Sequence, residues 1–250
     1  MKDGRSEAEM IRAVLRRLGS FRQLSCEAEK QLAATIRSRI TRASAGQELV
    51  SPGDRTDYVR IVLTGWLARY KMLEDGRRQV ISLILPGDAC NAFGHLIGGA
   101  DHSIVTLTPA AFAEIDRGRF EELMALDPAL TEAMLCDTLL QLAIAQEWIV
   151  NIGRRVALER VAHLLCEIFE RLHAVDLLEG DSCPFPITQM DLADATGLSI
   201  VHLNRTLQEL RGSGLIVLRE RHLTIVDREA LENLSLFHPD YLRVVPGKLP

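Results

Sequence analysis

PITQMDLADATGLSIVHLNRTLQELRGSGLIVLRERHLTIV, residues 186–226, is the stretch whose reading decides the fold. Thr188 followed three residues later by Asp191 fits a capping box with Thr188 as N-cap, and predicts a helix from Gln189 to about Ala195. Gly197 closes a tight turn after Thr196. Ser199 then caps a second helix from Ile200 to about Arg211, with Leu203, Leu207 and Leu210 on its buried side. Gly212-Ser213-Gly214 stops that helix. Leu215 to Leu218 and Leu223 to Val226 read as two strands around Arg219-Glu220-Arg221-His222. Helix, glycine turn, helix and hairpin in this order make a winged helix-turn-helix.

Such a unit can place its second helix in a DNA major groove, with the N-terminal end of the helix facing base edges. The exposed face is expected to show Ile200, Val201, His202, Asn204, Arg205 and Gln208. Arg205 suits either a guanine edge, through two hydrogen bonds, or a phosphate; Asn204 and Gln208 suit adenine. Arg211, Arg219 and Arg221 suit backbone phosphates. Thr188, Ser199 and the helix N-terminal amides can meet a phosphate as well. The competing use is a helix-turn-helix kept for protein contacts, with Arg205 a solvated surface residue. The wing and the local arginines favour DNA.

Upstream, helical periodicity runs from about Arg119 to Ile152 and restarts at Asp127-Pro128, since proline is tolerated in a first turn. Leu135, Leu142, Ile149 and Val156 are seven apart, with Thr138, Ala145 and Ile152 interleaved. That is a heptad seam, imperfect at Thr138. It either packs against its own domain or joins two copies; the amount of apolar face favours a dimerisation seam through Leu135, Leu142, Ala145, Ile149 and Ile152. Asn151-Ile152-Gly153 should break the helix. A new helix from Arg154 carries Val161, Leu164, Leu165 and Ile168, and the polar stretch from Asp176 to Pro186 reads as a loop.

The N-terminal half reads differently. Two helices are expected, one over about residues 6–18 and one from Ser25, as N-cap, to about Arg37. From Gly46 to about Ile115 short β-rich runs alternate with turns: Gln47 to Val50, Tyr58 to Leu63, Trp66 to Met72, Val80 to Leu85, Ser103 to Leu107 and Ala111 to Ile115. Glu74-Asp75-Gly76 is a hairpin turn. Regular short strands suggest an antiparallel roll. The fold class is therefore α+β. An N-terminal helix and β-roll domain spans 1–118, a dimerisation helix 119–153, a winged helix-turn-helix domain 154–235 and an irregular tail 236–250.

Composition is that of an ordinary globular protein, 47% hydrophobic and 25% charged over 250 residues. The net charge of -5 weighs mildly against a nucleic-acid binder, although a dimer needs only a local basic surface. The five cysteines form no CxxC pair, which argues against a zinc knuckle or disulfide framework. Neither a secretory signal nor a membrane span is expected, so the protein is read as cytoplasmic. No phosphate-binding glycine loop, HExxH or GxSxG is present, so no enzyme is expected.

The chain resembles the Crp/Fnr family of bacterial regulators over roughly residues 20–235. The sensor part of the resemblance rests on Tyr58 to Trp66, the Asp75-Gly76 turn and Pro86-Gly87-Asp88. The reader part rests on Ile187 to Ala193, Gly197-Leu198-Ser199 and Asn204 to Leu207. The resemblance implies a homodimer joined through the long helix, a palindromic DNA site, contact with RNA polymerase and a DNA-contacting role for Arg205. Two departures matter. Cyclic-AMP-binding members carry arginine and glutamate just after the recognition-helix cap, where this chain has Ile200 and Val201. The target should therefore differ, and Val201 offers only an apolar contact, for example to a thymine methyl.

The second departure lies in the sensor. The family's ribose-binding glutamate falls on Ala92 and its phosphate-binding arginine near His102. A buried phosphate lacking a cationic partner is costly, so cyclic AMP is not expected. The iron–sulfur members' N-terminal cysteine cluster is matched only by Cys26. An effector pocket, if used, is expected around Asn91, Ala92, His95, His102 and Ser103. No cofactor or metal site is expected, but haem or another small effector at His95 or His102 stays open. So do a weak His163 and Cys166 metal pair, a redox role for Cys183, and the absence of any effector.

Overall fold

The structure, a computed structural model, describes residues 5–55 and 57–243. Helix α1 (Glu7–Phe21) starts at Ser6, whose side chain and that of Glu9 form a reciprocal capping box. Helix α2 (Cys26–Ser38) is capped by Ser25, as expected. Strands β1 (Ile40–Ala43), β2 (Glu48–Val50), β3 (Tyr58–Thr64), β4 (Leu67–Met72), β5 (Arg78–Ile84), β6 (Ala89–Cys90), β7 (Ser103–Thr106) and β8 (Ala110–Asp116) follow. Helices α3 (Arg117–Leu126), α4 (Pro128–Arg154) and α5 (Ala157–Ala174) precede β9 (Ser182–Pro184), α6 (Gln189–Thr196), α7 (Ile200–Gly212), β10 (Ile216–Arg219), β11 (His222–Ile225) and α8 (Arg228–Ser235).

The β-roll consists of two four-stranded sheets, ordered β1-β8-β3-β6 and β2-β7-β4-β5. Every registered pair is antiparallel. Val50, Val62, Leu67, Ile84, Cys90, Ile104 and Ala110 form one buried apolar cluster. The turn between β3 and β4 needs Gly65, at φ +79°: a Cβ there would lie 2.4 Å from the Pro109 carbonyl oxygen and 2.7 Å from Ala110 Cα. Arg17 of α1 is buried and bridges Asp88 of the Pro-Gly-Asp turn and Asp137 of α4, each at 2.8 Å. One guanidinium thus serves two buried carboxylates, and burial pushes the Asp137 carboxyl up.

The α+β class, the roll, the long helix and the winged helix-turn-helix are as read from the sequence. Several details differ, among them the added helix α8. The β-roll begins at Ile40, not Gly46, because Ile40 to Ala43 pair with Ala113 to Ala110 of β8. The two-residue β6 is added beside β3. Helix α4 continues through Gly153 to Arg154, and α5 starts at Ala157 rather than Arg154. The stretch read as a loop before the reader contains β9, whose Cys183 pairs with Leu223 of β11.

The chain divides into two compact units. The first holds the described residues up to Arg69 together with Leu83–Leu142; the second holds Tyr70–Ser82 and Ala143–Arg243. Helix α4 shows a long apolar stripe: Leu135, Leu139, Leu142, Ile149, Val150 and Ile152 are all exposed, Leu142 by 54% and Ile149 by 72%. The opposite face, with Met134, Leu140, Ile144 and Trp148, is buried. The same helix is long and apolar enough to cross a membrane by length and composition alone.

Candidate nucleic-acid interface

Helix α6 is built by local chemistry. The Thr188 hydroxyl accepts from the Asp191 amide at 3.1 Å and donates to Asp191 Oδ2 at 2.6 Å, while the Thr188 amide donates to the same carboxylate at 3.2 Å. The helix ends on Gly197 at φ +65°, whose amide returns to the Ala193 carbonyl. Only two residues later Ser199 caps α7, accepting from the His202 amide at 3.2 Å. Leu203, Thr206, Leu207 and Leu210 face inward.

The outer face of α7 is what remains. Val201 is 81% exposed, the highest value among the exposed large hydrophobic residues. Arg205 and Gln208 are exposed, whereas His202 and Asn204 are half-buried. The wing is a three-stranded sheet ordered β10-β11-β9. Arg219 pairs with His222 across a two-residue loop, Glu220-Arg221, in which both residues have positive φ (49° and 63°). This is the backbone of a type I′ hairpin, usually filled by Asn-Gly, carried here by two charged residues at some cost. It holds Arg219 and Arg221 at the exposed wing tip.

Two arginines set the frame from outside the motif. Arg160 of α5 donates to four backbone carbonyls: Asn151 at 3.1 Å, Ile152 and Arg155 at 3.0 Å, and Thr196 at 2.8 Å. It therefore ties the last turn of α4 to the end of α6. Arg78 of β5 donates to Asp191 at 2.6 Å and Asp194 at 2.7 Å, and Gln79 donates to the Asp194 carbonyl. The single guanidinium offsets half of the charge of the two carboxylates on α6, which reduces repulsion of a nearby polyanion. Neither arginine has a signal in the sequence, because their partners lie in segments remote along the chain or are backbone atoms.

Residues 159–234 match the Crp-like helix-turn-helix domain and residues 40–127 match the cyclic nucleotide-binding domain. The chain is 33% identical over 187 residues to the transcriptional activator protein FnrL of Cereibacter sphaeroides, covering 73% of this chain and 75% of that protein. The chain belongs to the Crp/Fnr family. It is also 35% identical over 196 residues to the nitrogen fixation regulation protein FixK of Bradyrhizobium diazoefficiens, covering 77% of this chain and 80% of that one. The solved structure of FixK2 from Bradyrhizobium japonicum superposes with a TM-score of 0.69 at 24% identity, covering 80% of this chain and 98% of that one. This Crp/Fnr protein is a DNA-binding transcriptional regulator rather than an enzyme.

Within that frame the expected DNA residues divide. Val201, Arg205, Gln208, Arg211, Arg219 and Arg221 all lie exposed on α7 or the wing. Ser199 is exposed at the helix N-terminus, and its cap bond leaves the hydroxyl proton able to donate. Thr188 is exposed but donates its hydroxyl proton to Asp191 Oδ2, so it donates to a phosphate only by giving up that bond.

The sensor residues are dispersed in role. Ala92 is buried and Asn91 occupies a left-handed turn position at φ +55°. Ser103 donates to Glu48 at 2.9 Å. His102 accepts from Arg69 Nε at 3.0 Å, which leaves its Nδ1–H facing Asp101 at 2.7 Å. A haem or metal at His102 would have to break one of these bonds. The side chain of His95 lies outside the described residues. Among the described residues no group of three or more His, Cys, Asp or Glu side chains is arranged to hold a metal. Cys90, Cys166 and Cys183 are buried, which pushes each thiol up to about 12 and opposes thiolate chemistry at neutral pH.

His163 and Cys166, read as a weak metal pair, are core residues of the reader unit. His163 packs edge-on to Phe237, with ring centroids 5.1 Å apart, and stacks on Tyr241. Burial, with the Arg155 guanidinium nearby, pushes the imidazole down to about 3. Glu147 lies 3.3 Å from it but is already paired with Arg155 at 2.7 Å. The unfolded chain takes up a proton near pH 6.5 that the folded chain refuses. Stability should therefore be full above that pH and fall as the pH drops toward 3, by about 2 kcal/mol between about pH 7 and about pH 5. Urea melts of wild type and His163→Gln should show this slope in the wild type and its loss in the variant. An equal slope in both would reject the assignment.

Proposed function

We propose that the protein acts as a homodimer joined along α4 and binds a palindromic operator with two copies of α7, independently of cyclic AMP. The observation that carries this is the exposed face of α7, where Val201 and Arg205 stand clear beside the wing arginines. Arginine at this position pairs with a guanine edge or a phosphate, and Val201 fits a thymine methyl. The apolar stripe of α4 supports the dimer. Ala92, which offers no acceptor for a ribose hydroxyl, and the His102 ring, whose two nitrogens are engaged by Arg69 and Asp101, support a sensor without cyclic AMP. Any effector is of another chemical class, or none is needed. Because FnrL is named a transcriptional activator, we infer that the bound dimer contacts RNA polymerase, in the cytoplasm.

A gel-shift series with selected DNA tests this. Affinity should fall steeply with salt as phosphate contacts are lost, and cyclic AMP should leave it unchanged. Binding that ignores salt, or that appears only with cyclic AMP, would overturn the proposal. Salt-independent capture of a protein partner without DNA affinity would instead favour a ligand-binding module whose helix-turn-helix serves protein contacts.

A further inference from the structure

The segment after α8 lies beyond the residues that match the helix-turn-helix family model, which end at 234. Helix α8 ends in a left-handed residue, Leu236 at φ +52°, and the chain turns back on itself, the Phe237 amide donating to the Glu232 carbonyl at 3.0 Å. Phe237 is then buried and packs on His163 of α5. A short 3-10 turn, Pro239–Leu242, brings Tyr241 over the same helix. The Tyr241 hydroxyl donates to Glu167 Oε2 at 2.9 Å.

Glu167 joins three segments of the second unit. It is fully buried on α5. Trp148 Nε1, near the end of α4, donates to both of its oxygens at 3.1 Å, and Arg171 lies 3.4 Å away. Arg155, in the link between α4 and α5, donates to the Ser235 carbonyl at 3.2 Å. A buried carboxylate must be met by donors, so each donor is held to a narrow position. Arg160 fixes the α4–α5 junction through backbone carbonyls, and the Trp148–Glu167–Tyr241 cluster fixes it independently through side chains.

Resting on the reading above that two copies bind one palindrome, we propose that residues 237–241 are a positioning brace. Through Glu167 and Trp148 they fix the angle at which the reader leaves α4, and so set which half-site spacing the dimer accepts. Tyr241 acts through its hydroxyl on Glu167 and its ring against His163 and Phe237. The consequence is specific. Changing the spacing by one base pair moves a half-site by about 3.4 Å and turns it by about 34°. A braced reader rejects that displacement, and a released one follows it.

The test compares full-length wild type, Tyr241→Phe and a chain ending at Leu236 on the palindrome that the wild type selects from random duplex DNA and on versions of it with the half-sites one base pair further apart and closer. Tyr241→Phe should narrow the spacing discrimination by about threefold, and the shortened chain by about tenfold, with affinity for the preferred spacing falling less. Dimer mass and melting of Tyr241→Phe should stay near wild type. Unchanged discrimination in both folded variants overturns the brace, as does an equal loss of affinity at all three spacings. A wild type that prefers no palindrome overturns the dimeric reading, and the brace with it.

Discussion

Replacing Leu142 and Ile149 together by glutamate should convert the dimer into a monomer and cost about 10²- to 10⁴-fold in operator affinity, the range expected when two linked half-site contacts become one. The two residues lie seven apart on the exposed stripe of α4, with Leu139, Val150 and Ile152 around them. In a dimer these side chains fill the seam between two copies, where apolar burial supplies the attraction and an unpaired carboxylate is strongly disfavoured. In the monomer both positions already face water, so the folded chain should tolerate the change. Light scattering should give the mass of one chain and thermal melting should remain cooperative. A variant that stays dimeric would show that another surface joins the copies.

Arg205→Ala should lower affinity for the selected operator by about 1–3 kcal/mol, roughly 5- to 150-fold, without altering dimer mass or melting. The residue is exposed on α7, one turn beyond Val201 and on the side opposite buried Leu203 and Leu210. If the guanidinium reads a base, discrimination relaxes at one position of each half-site, and Arg205→Lys fails to restore it because a lysine lacks the planar pair of donors. If it holds a phosphate, lysine restores much of the affinity and specificity is untouched. Unchanged binding in Arg205→Ala would mean that another face of α7 meets the DNA.

The reader was legible because its signals are local. Thr188 with Asp191, Gly197, and Ser199 each act within four residues, and all three perform the expected capping or turning. The heptad spacing likewise placed the exposed stripe of α4. What stayed hidden depends on partners far along the chain. Ile40 to Ala43 become a strand only because β8 offers a free edge. Cys183 and its two neighbours do so only beside β11. Half-burial of His202 and Asn204 follows from the packing of α7, which the helical period gives only approximately. Arg78, Arg160 and Tyr241 bind groups in remote elements or on the backbone. No spacing rule marks them, although they hold the site together.

The most direct test of the account is selection of bound sequences from random duplex DNA by the purified full-length protein. The wild type should enrich a palindrome with one fixed half-site spacing, lost in Leu142→Glu/Ile149→Glu and degraded at a single half-site position or in overall strength by Arg205→Ala. Enrichment of an unrepeated, asymmetric sequence, or of none, would contradict it.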